Sequence, residues 1–168
     1  MKTKMKAIKR YDYDPKKIEK GYADQVLKID LGDMEFQVDE VTEQMKELFN
    51  GGRGFDLWLL WNAVKEDTRW DDPENALCIS SGPLGGDPIY PGSGNSIVTT
   101  ISPLTDIPID SNVGGYFGPY LLFSGFDALE IHGKAEREVI VFIDGKENTI
   151  SFHEPPEDLP EDAYGVTR

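Results

Sequence analysis

The sequence predicts an α+β fold, and three observations support that prediction. Strand patterns come in sequential pairs suited to antiparallel hairpins, two helical stripes stand together before the middle of the chain, and strict β-α alternation is missing. At 168 residues the chain suits one folding unit with a single core, and 39% hydrophobic residues with 11% aromatics lie in the globular range.

Residues 1–20 carry Lys2, Lys4, Lys6, Lys9, Arg10, Lys16, Lys17 and Lys20, eight of the 17 basic residues, with little apolar periodicity, and so predict an extended basic arm. From Tyr22, "YADQVLKIDL" alternates apolar and polar, "GD" turns, and "MEFQVDEV" alternates again, giving a hairpin with strands near 22–31 and 34–39. "VTEQMKELF" then sets Val41, Met45 and Leu48 at helical spacing. "GFDLWLLWNAVKED" puts Leu57, Leu60, Trp61 and Val64 on one stripe, so two helices meet at "NGGRG". There Gly51 and Gly52 stop the first helix, and Arg53 is expected to cap carbonyls.

"ALCIS" predicts a short buried strand and "NSIVTTIS" a β-branched one, with the long ordered loop "GPLGGDPIYPGSG" between them. Pro119 marks a short helix "PYLLFS" that stops at Gly125, and "ALEIHG", "EVIVFIDG" and "TISFHE" complete the strands. The tail "EPPEDLPEDAYGVTR" has the composition of an acidic linker. The organisation is therefore a basic arm (1–20), a folded domain (21–152) and a linker (153–168).

Several function classes are excluded by composition. A net charge of -14 repels phosphate backbones and anionic membranes. No apolar run approaches the roughly 20 residues of a membrane span. Cys78 is the only cysteine, which rules out an intrachain disulfide and a multi-cysteine metal site, and the reading is a cytoplasmic, reducing setting. Cys78 reads as a small buried hydrophobe, His132 and His153 as structural strand residues, and Trp58, Trp61 and Trp70 as packing. No nucleophile–base couple or carboxylate pair can be assigned.

One region is unusual. From Ala76 to Phe126, 51 residues hold only Asp87, Asp106 and Asp110 as charges, where the chain average would give about 15. Its glycines, hydroxyls and amides suit neither bulk water throughout nor a dry core, because main-chain polar groups need partners. Within it, "SNVGGYFG" offers oxygens at Ser111 and Asn112, then Gly114 and Gly115, where a ligand can reach the main chain. A carbonyl at Asn112 also suits magnesium. On residue types alone, a plain loop entering a helix explains the same stretch. "GPLGGDPIYPGSGN" is neither a P-loop nor a dinucleotide signature.

"GGRGFDLWLLW", "PENALCISSGPLGG", "SIVTTISPLT", "DSNVGGYFGPYLLFSGFDALEIHGKAE" and "VIVFIDG", in this order, resemble the N-terminal domain of the tungsten-containing aldehyde ferredoxin oxidoreductases. The resemblance covers about Tyr22 to Glu147. It implies an α+β domain of two related β-α-β units with largely antiparallel sheets, forming the bed of a tungsten bis-pterin cofactor (tungstopterin). It implies that Asn112 gives a main-chain oxygen to the magnesium bridging the pterin phosphates, and that Gly114 and Gly115 contact the cofactor. Counting back from "SPLT" places Asn95 where the family often carries a cofactor-holding arginine. Either this loop, about one residue longer, brings its polar groups in differently, or other domains hold the cofactor.

The resemblance further implies a fragment of a larger oxidoreductase, inactive alone. The [4Fe-4S] cluster would come from missing domains, a ferredoxin-like carrier would be the electron partner, and a homo- or hetero-oligomer would form. Two alternatives stand beside the aldehyde reading: the tungsten subunit of a benzoyl-CoA reductase, and a non-catalytic assembly module.

Overall fold

Short local signals set most of the elements. Asp30 Oδ1 accepts from the amides of Gly32 (2.7 Å) and Asp33 (3.3 Å), closing the hairpin between β2 (Gln25–Asp30) and β3 (Glu35–Glu40). Thr42 caps α1 (Glu43–Leu48), its hydroxyl accepting from Met45 N at 3.2 Å. Helix α2 (Arg53–Ala63) starts after Gly52, which has φ 55°. Helix α3 (Phe117–Phe123) ends in a Schellman motif, with Phe126 N donating to Leu121 O (3.1 Å) and Gly125 N to Leu122 O (2.8 Å).

The computed structural model describes residues 5–157 together with Leu159, Pro160, Asp162 and Gly165. A six-stranded sheet has the order β3-β2-β7-β4-β5-β6, with β4 (Leu77–Ser80), β5 (Ser96–Ile101), β6 (Pro108–Val113) and β7 (Ala128–His132). Its pairs are antiparallel except β2 with β7. A second sheet, β1-β9-β8, comprises β1 (Ala7–Asp12), β8 (Ile140–Asp144) and β9 (Thr149–His153). The α+β class read from the sequence is the observed one.

Instead of the single expected core, the large sheet buries one cluster on each face. Val26, Cys78 and Ala128 meet Met45, Phe55, Leu59 and Leu60 of the helices. Leu27, Ile29 and Leu129 meet Ile150 and Phe152 of the small sheet, with Leu121 and Phe126. Alternation along each strand delivers both sets at once.

Four local expectations differ from the structure. The basic arm is folded in at Ala7–Asp12, which pairs with β9, and Tyr13 OH donates to Ser124 O at 2.8 Å; weak apolar alternation hid a strand whose partner lies far along the chain. Lys2 and Lys4 lie outside the described residues. The α2 stripe is rotated: Phe55, Asp56, Leu59 and Leu60 are buried, whereas Trp61 is 82% exposed and Trp70 is also exposed, so only half-buried Trp58 joins the packing. Residues 108–113 form an edge strand rather than a loop. The expected linker at 153–168 opens inside the sheet region, since His153 ends β9 and Glu154 N donates to Lys6 O at 3.0 Å. Residues 158, 161, 163, 164 and 166–168 of that tail lie outside the described residues. Among the described residues, no helix is long and apolar enough to cross a membrane.

Candidate ligand platform

Three loops converge at one end of β5 and β6. The turn into α2 is clamped to the loop after β4: Gly52 N donates to Ser81 O at 2.9 Å, and Ser80 Oγ donates to Gly52 O at 2.7 Å. A Cβ at Gly51, which has φ 114°, would fall 2.7 Å from Ser81 O. The loop before β5 touches the loop after β6 even more closely, because a Cβ at Gly94 would lie 2.5 Å from Gly115 O. Both contacts require a residue without a side chain.

The structure brings together the four residues singled out from sequence. Asn112 lies on edge strand β6 opposite Ile97, Gly114 and Gly115 follow it, and Asn95 precedes β5. A Cβ at Gly114 would sit 3.6 Å from Asn95 Oδ1, and one at Gly115 would have nothing within 4 Å. The main chain of Gly114–Gly115 is therefore open. Asn50, Gly82, Pro83, Tyr90, Gly92 and Asn95 border an adjoining groove of about 410 Å3. Val113, Tyr116 and Phe117 are exposed around the same end. A flat bed of bare main chain, with amide side chains and apolar rims, fits a large ligand that approaches the backbone.

The three charges of the depleted window are all engaged. Asp87 accepts from Ile89 N at 2.8 Å, Asp106 pairs with Arg69 at 3.5 Å, and Asp110 holds the Arg53 guanidinium, whose Nε donates at 2.7 Å. Arg53 thus binds a carboxylate across the sheet instead of capping carbonyls as expected. Lone acids in an uncharged stretch were the signal that partners must come from elsewhere.

Behind this surface, sequence reasoning also missed Asp56. It is wholly buried on α2, accepts from Thr99 Oγ1 at 3.1 Å, and leaves Oδ1 without a hydrogen-bond partner. Burial pushes its carboxyl up to about 7; the Ser80 and Thr99 hydroxyls oppose this only partly, and the nearby Asp110 charge adds to it. Asp127 is raised to about 6, also by burial, although it accepts from Ala23 N and Gln25 N. Cys78 is the buried hydrophobe expected, with burial pushing its thiol upward. Among the described residues no cluster of three or more His, Cys, Asp or Glu side chains is arranged to hold a metal ion.

The domain is α+β and presents an uncharged, glycine-lined surface where three loops meet. The profile described as "Aldehyde ferredoxin oxidoreductase, N-terminal domain" matches residues 26–164, and the chain belongs to that family. It is 37% identical over 117 residues to the tungsten-containing aldehyde ferredoxin oxidoreductase of Pyrococcus furiosus, covering 70% of this chain and 19% of that protein. It is 35% identical over 126 residues to the aliphatic sulfonate oxidoreductase, WOR-like subunit, of the same organism, covering 73% and 20%. Among solved structures it is similar to the active site complex BamBC of benzoyl coenzyme A reductase, with a TM-score of 0.74, 28% identity, and coverage of 80% of this chain and 20% of that one. The chain thus spans about one fifth of the length of these relatives.

Proposed function

We propose that this domain seats a tungsten bis-pterin cofactor in a cytoplasmic oxidoreductase that moves electrons between an aldehyde or carboxylic acid and a ferredoxin-like carrier. The observation that carries this reading is the open main chain of Gly114–Gly115 beside Asn95 and Asn112, in a chain 37% identical to a tungsten-containing enzyme. Asn112 would offer its main-chain oxygen to a magnesium ion, Gly114 and Gly115 would let the cofactor lie on the backbone, and Asn95 would donate or accept at its edge. When bound, the tungsten centre supplies the redox chemistry; this chain supplies binding and orientation. A [4Fe-4S] cluster would come from other domains, since a single buried cysteine cannot provide it.

The likeness to the benzoyl-CoA reductase complex favours a second reading, in which the same bed serves reduction of an aromatic thioester. The whole protein, purified anaerobically, should contain tungsten and pterin. Aldehyde oxidation against aromatic acyl-CoA reduction then separates the two readings, and absence of both metal and pterin would leave an assembly module. Gly114→Val is the clean probe, because Gly114 is not at positive φ and the new side chain meets only Asn95 at ordinary distance. It should lower cofactor content several-fold with the fold intact. Gly115, at φ 117°, would be strained by the same change.

A further inference from the structure

We infer that Arg53 is the cation that binds the phosphate or diphosphate group of the ligand seated on this platform, with Asp110 as the positioning residue that aims it. This rests on the reading of the bed as a ligand seat and assigns the group that neutralises the ligand's charge.

The loops of the bed lack positive charge. From Ala76 to Phe126, where the loops of the bed lie, there is no lysine, arginine or histidine, and the three charges present are aspartates. A phosphate laid on that surface would meet a repulsive field unless a cation came from outside the window. Tertiary structure brings two arginines to the hairpin of β5 and β6, one at its turn and one at mid-strand. Arg69 reaches Asp106 in the turn between the strands, away from the bed. Arg53 reaches Asp110, two residues before Asn112 and on the same face of β6, a separation of roughly 7 Å along a strand.

The local geometry leaves the guanidinium both aimed and available. Its Nε and Nη2 donate to the same Asp110 oxygen, so the Nη1 edge faces away from the pair. The Arg53 side chain is 65% exposed, whereas its main chain follows the clamped Gly52. A planar fork that satisfies one carboxylate along one edge can bind a phosphate oxygen pair along another, which a lysine ammonium cannot match.

The test uses the whole protein and compares Arg53→Gln and Arg53→Lys with Arg69→Gln, an equally exposed arginine at the far end of the hairpin. Pyrophosphate with magnesium is titrated calorimetrically into cofactor-free protein, and tungsten and pterin are quantified in protein purified anaerobically. Arg53→Gln should weaken pyrophosphate binding at least tenfold and lower cofactor content, Arg53→Lys should weaken it several-fold, and Arg69→Gln should change neither. Thermal midpoints identify any variant that misfolds; should Arg53→Gln do so, the lysine variant decides alone. Unchanged pyrophosphate affinity and cofactor content in the folded Arg53 variants overturn the inference while leaving the bed intact. Arg53-dependent pyrophosphate binding in a wild type that carries neither tungsten nor pterin overturns the tungstopterin reading and upholds the anion site.

Discussion

The two halves of the six-stranded sheet solve the problem of charge in opposite ways. On the helix-covered face of β3-β2-β7, Lys28 sits between Asp39 (3.2 Å) and Glu130 (3.3 Å), so charges are matched within the half. On β4-β5-β6 the same face carries Cys78, Ser80, Thr99, Asp110 and Asn112, and the one acid takes its partner from α2. Exposure does not account for the contrast: Glu130 is nearly buried within the charged half, whereas Asn112 and Val113 are open to solvent in the uncharged half. Charge is missing from β5-β6 although the surface is accessible, which is what a surface kept for a ligand or a neighbouring domain requires.

The largest effect that tests this contrast concerns Asp56, the buried acid under the uncharged half. Its carboxyl is raised to about 7 in the folded state, so between its ordinary value and pH 7 the native protein holds a proton the unfolded chain has lost. Stability therefore falls as pH rises through that window, by up to about 4 kcal/mol at 1.36 kcal/mol per pH unit. Urea unfolding at pH 4.5 and pH 7.5 should record the fall. Asp56→Asn should remove most of it, leaving a smaller slope of the same sign from Asp127, which is raised to about 6. A pH-independent wild type would mean that the carboxyl is not held in a dry site.

Ion pairs give the next contrast. Lys28→Ala strands the Glu130 carboxylate, whose side chain is 5% exposed, and should destabilise by about 2–3 kcal/mol, below the full range for buried pairs because Lys28 is itself 26% exposed. Arg53→Ala breaks an exposed pair and should change stability by less than about 1 kcal/mol. Equal losses in chemical denaturation would erase the distinction between structural and functional charge.

The smallest effect separates glycines that hold the platform together from those that merely lie beside it. Gly94→Ala drives a Cβ to 2.5 Å from Gly115 O and should destabilise by about 1–2 kcal/mol, whereas Gly82→Ala meets nothing within 4 Å and should stay within about 0.5 kcal/mol. Thermal melts of the two variants side by side would show whether the loops touch as described.

Much of this was legible in the sequence where the signal is local. The β2-β3 hairpin follows from alternation around Asp30–Asp33, α1 from the helical spacing of Val41 and Met45, and the end of α3 from Gly125. The bed itself was legible as missing charge plus "SNVGGYFG", and all four named residues meet at one end of β5-β6. What escaped was non-local: β1 needs β9, more than a hundred residues away, and its AIKRYD stretch carries too little apolar alternation to signal a strand. Strand β6 was hidden by turn-forming residues and is extended because β5 pairs with it. The α2 face was misread because the helix buries Asp56 and leaves Trp61 out.

By itself, then, the sequence determined the class of fold, the β2-β3 hairpin, and the position of an uncharged, glycine-rich surface, since each is written in short-range pattern and composition. Tertiary structure alone decided which cation serves that surface and which acid lies beneath it. Coulomb interaction and burial depend on distance through space, and Arg53 meets Asp110 only once the sheet has formed.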